Sequence, residues 1–208
     1  MIKYTEKQIE ELDKFYKHPR NLVDLFEDTA AKWGERNAIG TKNIQTRQYE
    51  WITYKFLAQR INNARSGINQ LGINKGDAVG VIIGNSVEWY VLENAAHGLG
   101  AIFVPMYEKE LQNTWQYIIK DSGIKYLFVK DEKIYEQIKH FKNEIESLQE
   151  IFIIYGEGKN SLKSLEDAGG KNPVKSYKPH WSEPAELIYT SGTTGEPKGV
   201  LLSHGNLT

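Results

Sequence analysis

Cysteine is absent from the 208 residues, which excludes disulfides, thiol catalysis and cysteine-ligated metal. Excess charge of either sign is missing too: 26 basic and 27 acidic residues leave a net charge of −1, and no basic tract stands out. Nothing in that balance points to nucleic acid as a partner. Long hydrophobic runs are also lacking. The longest, such as Ala78 to Ile83, are far too short to span a bilayer. No signal-peptide core is present, because Met1-Ile2-Lys3-Tyr4-Thr5-Glu6-Lys7-Gln8 places charges where an apolar segment would be needed. The expectation is a soluble, cytoplasmic protein. Peripheral attachment to a membrane and a homodimer are left open.

What is there is ordinary globular material, 40% hydrophobic and 25% charged, enough for one large domain or two small ones. A helix is expected from Asn21 as N-cap, with Asp24 in its first turn, through Leu22, Leu25, Phe26 and Ala30 to a stop at Gly34. A hairpin of Ala38 to Thr41 and Arg47 to Ile52 follows, with Thr53 placed to cap the next helix. On that helix Leu57, Ile61, Ala64, Ile68 and Leu71 form one apolar stripe, ended by Gly72. Strands near 78–83, 101–104, 125–129 and 151–155 then alternate with helices near 86–98, 110–121 and 132–147. Asn85 and Glu88 sit at capping-box spacing for the first of these helices. Such alternation is the pattern of an α/β fold with a mostly parallel sheet flanked by helices. No internal repeat is visible. Residues 1–20 are expected as an N-terminal helical extension and 21–155 as the α/β core. Residues 156–186, holding Pro173, Pro179 and Pro184, read as a connecting excursion with a short helix near Leu162 to Ala168.

The densest chemistry lies in Thr190-Ser191-Gly192-Thr193-Thr194-Gly195-Glu196-Pro197-Lys198-Gly199, between the apolar runs Leu187 to Tyr189 and Val200 to Leu202. Glycines admit phosphate oxygens to backbone N–H groups, hydroxyls add donors, and the lysine supplies a mobile positive charge. A flexible linker needs no strand-like run on each side. The P-loop of nucleotide triphosphatases fails on spacing, since Pro197 stands where its glycine is required and Gly199 where its Ser/Thr is required. The segment therefore reads as a phosphate cradle of another kind.

Tyr189 to Val200 resembles the signature loop of the adenylate-forming enzymes, the superfamily of acyl-CoA synthetases, peptide-synthetase adenylation domains and beetle luciferases. Ser203-His204-Gly205-Asn206-Leu207 resembles the family's continuation. Upstream, Gly76 to Val81, Asn85 to Trp89 and Leu99 to Tyr107 resemble its early strands and helix. The resemblance runs from about Asn21 to the last residue. Glu50-Trp51-Ile52-Thr53-Tyr54 and Pro105-Met106-Tyr107 look most like the long-chain fatty acid:CoA ligase branch, although core packing would explain such aromatic clusters equally well.

The resemblance implies the N-terminal part of a large domain, continued by further residues and a C-terminal domain. It implies a two-step reaction: a carboxylate attacks the α-phosphorus of ATP, releasing pyrophosphate, and the thiol of coenzyme A then takes the acyl group. Thr190, Ser191, Gly192, Thr193, Thr194, Gly195, Lys198 and Gly199 are the residues it assigns to the phosphates. Lys198 and Thr190 are its catalytic candidates, and Thr190 its ligand for Mg²⁺. Taken alone, the 208 residues are expected to be inactive. Other readings stay open: a different carboxylic acid, a carrier-protein acceptor, or a non-catalytic module that binds nucleotide or a partner. Glu196 is expected to face solvent, since a triphosphate would repel it. His18, His97, His140, His180 and His204 are scattered and show no metal-ligand spacing, and His204 reads as a capping or packing residue. The tryptophans read as core or rim.

Overall fold

Asn21 begins the first core-facing helix, because its side chain accepts the N–H of Asp24 at 2.8 Å. In a computed structural model of the protein, which describes residues 5–15, 20–43, 45–191 and 196–208, this is the second helix in chain order. Helix α1 (Glu6–Phe15) precedes α2 (Leu22–Trp33). Strands β1 (Asn37–Lys42) and β2 (Tyr49–Thr53) form the expected antiparallel hairpin, and Thr53 caps α3 (Tyr54–Asn69). Leu57, Ile61, Ala64 and Ile68 on α3 are buried as their spacing requires. Trp51 is not core: it is 55% exposed and covers Gly40 on the outside of the hairpin.

The main sheet has six strands in the order β6-β5-β3-β4-β7-β8. They are β3 (Ala78–Ile82), β4 (Ile102–Met106), β5 (Ile124–Val129), β6 (Glu150–Ile153), β7 (Pro184–Thr190) and β8 (Lys198–Ser203). All neighbours are parallel except β8, which returns antiparallel to β7. Alternate residues of each strand point to opposite faces, and two cores result. Val79, Val81, Phe103, Tyr126, Phe128 and Phe152 pack with α2, α3, α4 (Val87–His97) and α8 (Leu162–Lys171). Ile82, Val104, Met106, Leu127, Val129 and Ile151 pack with α5 (Gln112–Ser122), α6 (Glu132–Ile138) and α7 (Phe141–Glu144). The chain closes on α9 (His204–Leu207). No helix among the described residues is long and apolar enough to cross a membrane.

Two expectations need correction. The cap of α4 is Ser86 rather than Asn85: its hydroxyl accepts the Trp89 N–H at 3.1 Å. Glu88 is thereby freed for another partner. The helix expected over 132–147 is two, α6 and α7, parted by a turn at His140. Ile134, Ile138, Phe141 and Ile145 keep one buried stripe across that break, so periodicity alone cannot reveal it.

Candidate functional site

Strands β3, β4 and β7 run the same way, so Ile82, Met106 and Thr190 end at one carboxyl edge of the sheet, where ligands of open α/β sheets bind. The chain leaves that edge after Thr190 and re-enters it at Lys198, and these two residues sit directly opposite each other in the β7–β8 ladder. Thr190, Ser191, Lys198 and Gly199 are all exposed at this mouth. Gly192, Thr193, Thr194 and Gly195 lie outside the described residues. Glu196 is exposed, as expected from its charge.

What holds the mouth in place lies on the strand behind it. The Tyr189 hydroxyl donates to Asp121 Oδ2 at 2.6 Å, and its ring meets Tyr117 edge-on at 6.5 Å. Burial, then the carboxylate of Asp121, pushes the Tyr189 hydroxyl far above its ordinary pKa, so it stays a donor. Gly199 faces Tyr189 across the ladder, and a Cβ there would lie 3.1 Å from Leu187 Cδ1 and 3.2 Å from Tyr189 Cζ. Glycine thus lets the tyrosine lie flat under β8 as well as leaving the backbone open. At the far end of β8, Ser203 and Asn206 form a reciprocal capping box that starts α9.

His204 is buried, as a packing residue should be: its Nδ1 accepts the Leu22 N–H at 3.4 Å and its ring stands edge-on to His97 at 5.0 Å. In sequence no histidine is spaced for a metal with another histidine or a carboxylate pair; only the fold assembles such a group. Glu93 and His97 fall one turn apart on α4, and Glu186 of β7 comes up against them. The i, i+4 pair was visible in the chain; its third member, 89 residues further on, was not. Thr190, Ser191, Lys198 and Gly199 are brought together, then, while Glu93 and His97 of α4 meet Glu186 nearer the start of the same strand. Hydroxyl oxygens at the mouth are hard donors of the kind a magnesium ion takes alongside phosphate oxygens, so Thr190 fits that ion.

Fold and hairpin together define an α/β protein with Thr190, Ser191 and Lys198 exposed on the carboxyl edge of its sheet. Residues 26–208 match the family described as AMP-binding enzyme, and the chain belongs to it. The long-chain-fatty-acid–CoA ligase FadD15 of Mycobacterium bovis is 32% identical over 161 residues, 75% of this chain and 27% of the relative. The long-chain-fatty-acid–CoA ligase ACSBG2 of Xenopus laevis is 28% identical over 214 residues, 97% of this chain and 28% of the relative. Among solved structures, a long-chain-fatty-acid–CoA ligase (FadD1) from Archaeoglobus fulgidus superposes with a TM-score of 0.78 at 29% identity, over 90% of this chain and 37% of that one. The chain therefore spans under a third of the length of these two curated relatives.

Proposed function

We propose that the protein contributes the phosphate-binding part of an ATP-dependent acid–thiol ligase, with a long-chain fatty acid as substrate and coenzyme A as acceptor. The observation that carries this reading is the pairing of Thr190 with Lys198 at the mouth of a glycine- and hydroxyl-rich hairpin on the carboxyl edge. In the first half-reaction a carboxylate oxygen attacks the α-phosphorus of ATP, the bond from that phosphorus to the bridging oxygen breaks, and pyrophosphate leaves. Negative charge builds on the departing oxygens. A lysine and hydroxyl donors set around the β- and γ-phosphates stabilise that charge as it develops. Thr190 and Ser191 supply hydroxyls, the loop between them and Lys198 supplies backbone N–H groups, and Lys198 supplies the cation. Mg²⁺, when held with Thr190, would add charge neutralisation to the phosphates. In the second half-reaction the sulfur of coenzyme A attacks the acyl carbon and AMP leaves. The choice of fatty acid is supported by the names of the relatives, and the choice of coenzyme A by the same names.

The test is ATP-dependent pyrophosphate release, run across short, medium and long fatty acids, amino acids and aryl acids, with and without coenzyme A. The 208 residues are expected to be silent alone, and the protein in the context of a chain as long as its relatives is expected to release pyrophosphate with long-chain acids. Release with another acid class would reassign the substrate. Nucleotide binding with no release for any acid would replace the ligase by a non-catalytic module.

A further inference from the structure

One buried cluster has no part in the chemistry of the hairpin. Helix α4 presents Glu93 and His97 from one face, and β7 presents Glu186 beneath them, so that one ligand atom of each lies within 4.8 Å of the other two. His97 is fully buried and Glu186 is 5% exposed. Two carboxylates facing each other under cover repel, and no lysine or arginine side chain pairs with either of them among the described residues. That arrangement is costly unless a proton or a cation sits between the two groups.

The histidine argues for the cation. Its Nε2 lies 3.2 Å from the Ala185 carbonyl oxygen, to which it can only donate, and this sets the tautomer. Nδ1 is then left with a free lone pair, and it is buried with no hydrogen-bond partner among the described residues. An imidazole anchored through one nitrogen to a backbone carbonyl, with the other nitrogen open, is in the tautomer that metal-ligating histidines use. A proton shared by the two carboxylates would do nothing for that nitrogen. Access exists as well. A cavity of about 330 Å³ is lined by Tyr90, Glu93, Asn94 and His97 of α4 and by Leu22 and Phe26 of α2.

We propose that Glu93, His97 and Glu186 form a binding site for one first-row divalent cation, with Zn²⁺ the ion of choice. One nitrogen and two carboxylate donors suit Zn²⁺, whereas Mg²⁺ and Ca²⁺ favour sites built of oxygen alone. The remaining coordination position would face the cavity. Glu186 and Thr190 lie on one face of β7, four residues and so roughly 13 Å apart. The cluster is thus separate from the phosphate end of the strand. A cation here clamps α4 to β7, with His204 of α9 against the clamp.

Isothermal titration of chelator-stripped protein with ZnCl₂ tests this, with MgCl₂ as the comparison. One Zn²⁺ per chain is expected, bound at least about tenfold more weakly by Glu93→Gln and by Glu186→Gln, the lower end of the loss found on disturbing a metal's surroundings. His140→Gln, on the other side of the sheet, should bind as the parent does. Circular dichroism establishes that each variant is folded, and Glu93→Gln removes the like-charge contact without changing shape. The visible spectrum of the Co²⁺-loaded parent gives a second readout, and its ligand-field bands should vanish in Glu186→Gln. Failure of the folded parent to take up one Zn²⁺ overturns the site whatever the variants do. So does uptake that survives intact in both glutamine variants.

Discussion

Lys198 enters the sheet as the first residue of β8 and faces Thr190, so its backbone is held by the ladder while its side chain is exposed. A cation placed that way acts through its charge and not through packing. Lys198→Ala should therefore leave the unfolding midpoint nearly unchanged and reduce kcat/KM for pyrophosphate release by roughly 2 to 4 kcal/mol of transition-state stabilisation, the range for removing one such donor. Steady-state kinetics on a chain that carries the whole activity, alongside a thermal melt, separates the two effects. A large loss of stability with unchanged kinetics would reverse the assignment. At this scale the hairpin's chemistry is contiguous in the chain, so residue types alone suggest a phosphate cradle at 190–199, while the roles of Thr190, Ser191 and Lys198 come from the resemblance. Glu186 could not. It sits among apolar neighbours of a strand, and its partners Glu93 and His97 come from a helix that only the sheet order brings over it.

Helices α3 and α8 cross more closely than side chains would permit, and glycines make the crossing. A Cβ on Gly169 would lie 2.0 Å from the Asn63 carbonyl oxygen, and one on Gly67 would lie 2.2 Å from the Leu165 carbonyl oxygen. Backbone atoms of two helices cannot give way as a flexible side chain can. Alanine is the better helix former by about 1 kcal/mol, but overpacking costs roughly 1–3 kcal/mol or more, so the clash wins. Because the clash is with backbone, the cost falls at the top of that range, and Gly169→Ala is expected to lower stability by about 2 kcal/mol or more net. Gly170→Ala, whose Cβ would be 3.4 Å from the Asn63 side chain, should be neutral or slightly stabilising. Denaturant melts of the two variants decide the matter, and equal effects would show that the crossing tolerates a methyl group. The helix itself was readable near Leu162 to Ala168; that it runs on through Gly169-Gly170 to Lys171, with α3 pressed against those glycines, was not, since glycines in a stretch with three prolines look like loop residues.

A half-buried charge network ties together elements far apart in sequence. Arg60 of α3 pairs with Glu88 of α4 at 2.8 Å and with Glu166 of α8 at 2.9 Å, and Tyr155, just after β6, donates to Glu88 at 2.8 Å. The alternation of strands and helices foretold a parallel sheet covered on both faces, because buried strands are apolar throughout and their helices amphipathic. The strand order and these cross-links were beyond it, since no local pattern says that β4 and β7 are neighbours or that residues 60, 88 and 166 converge. Burial works to raise the Glu88 carboxyl, yet the hydrogen bonds from Arg60 and Tyr155 outweigh it and hold the group below its ordinary pKa. A folded-state pKa below the unfolded value of about 4.3 means that the interaction stabilises the fold above that pH and is lost as pH falls through the folded value. Arg60→Ala at pH 7 leaves two carboxylates without their cation. It should cost about 2–3 kcal/mol, less than for a fully buried pair because these side chains keep some solvent contact. Glu88→Gln should be the milder change, and its deficit against the parent should shrink as pH is lowered from 5 toward 3.5. Unfolding free energies of parent and Glu88→Gln, measured by denaturant titration at half-unit pH steps, test the sign directly. A gap that stays constant across that range would mean that Glu88 is held no more tightly in the fold than in the unfolded chain.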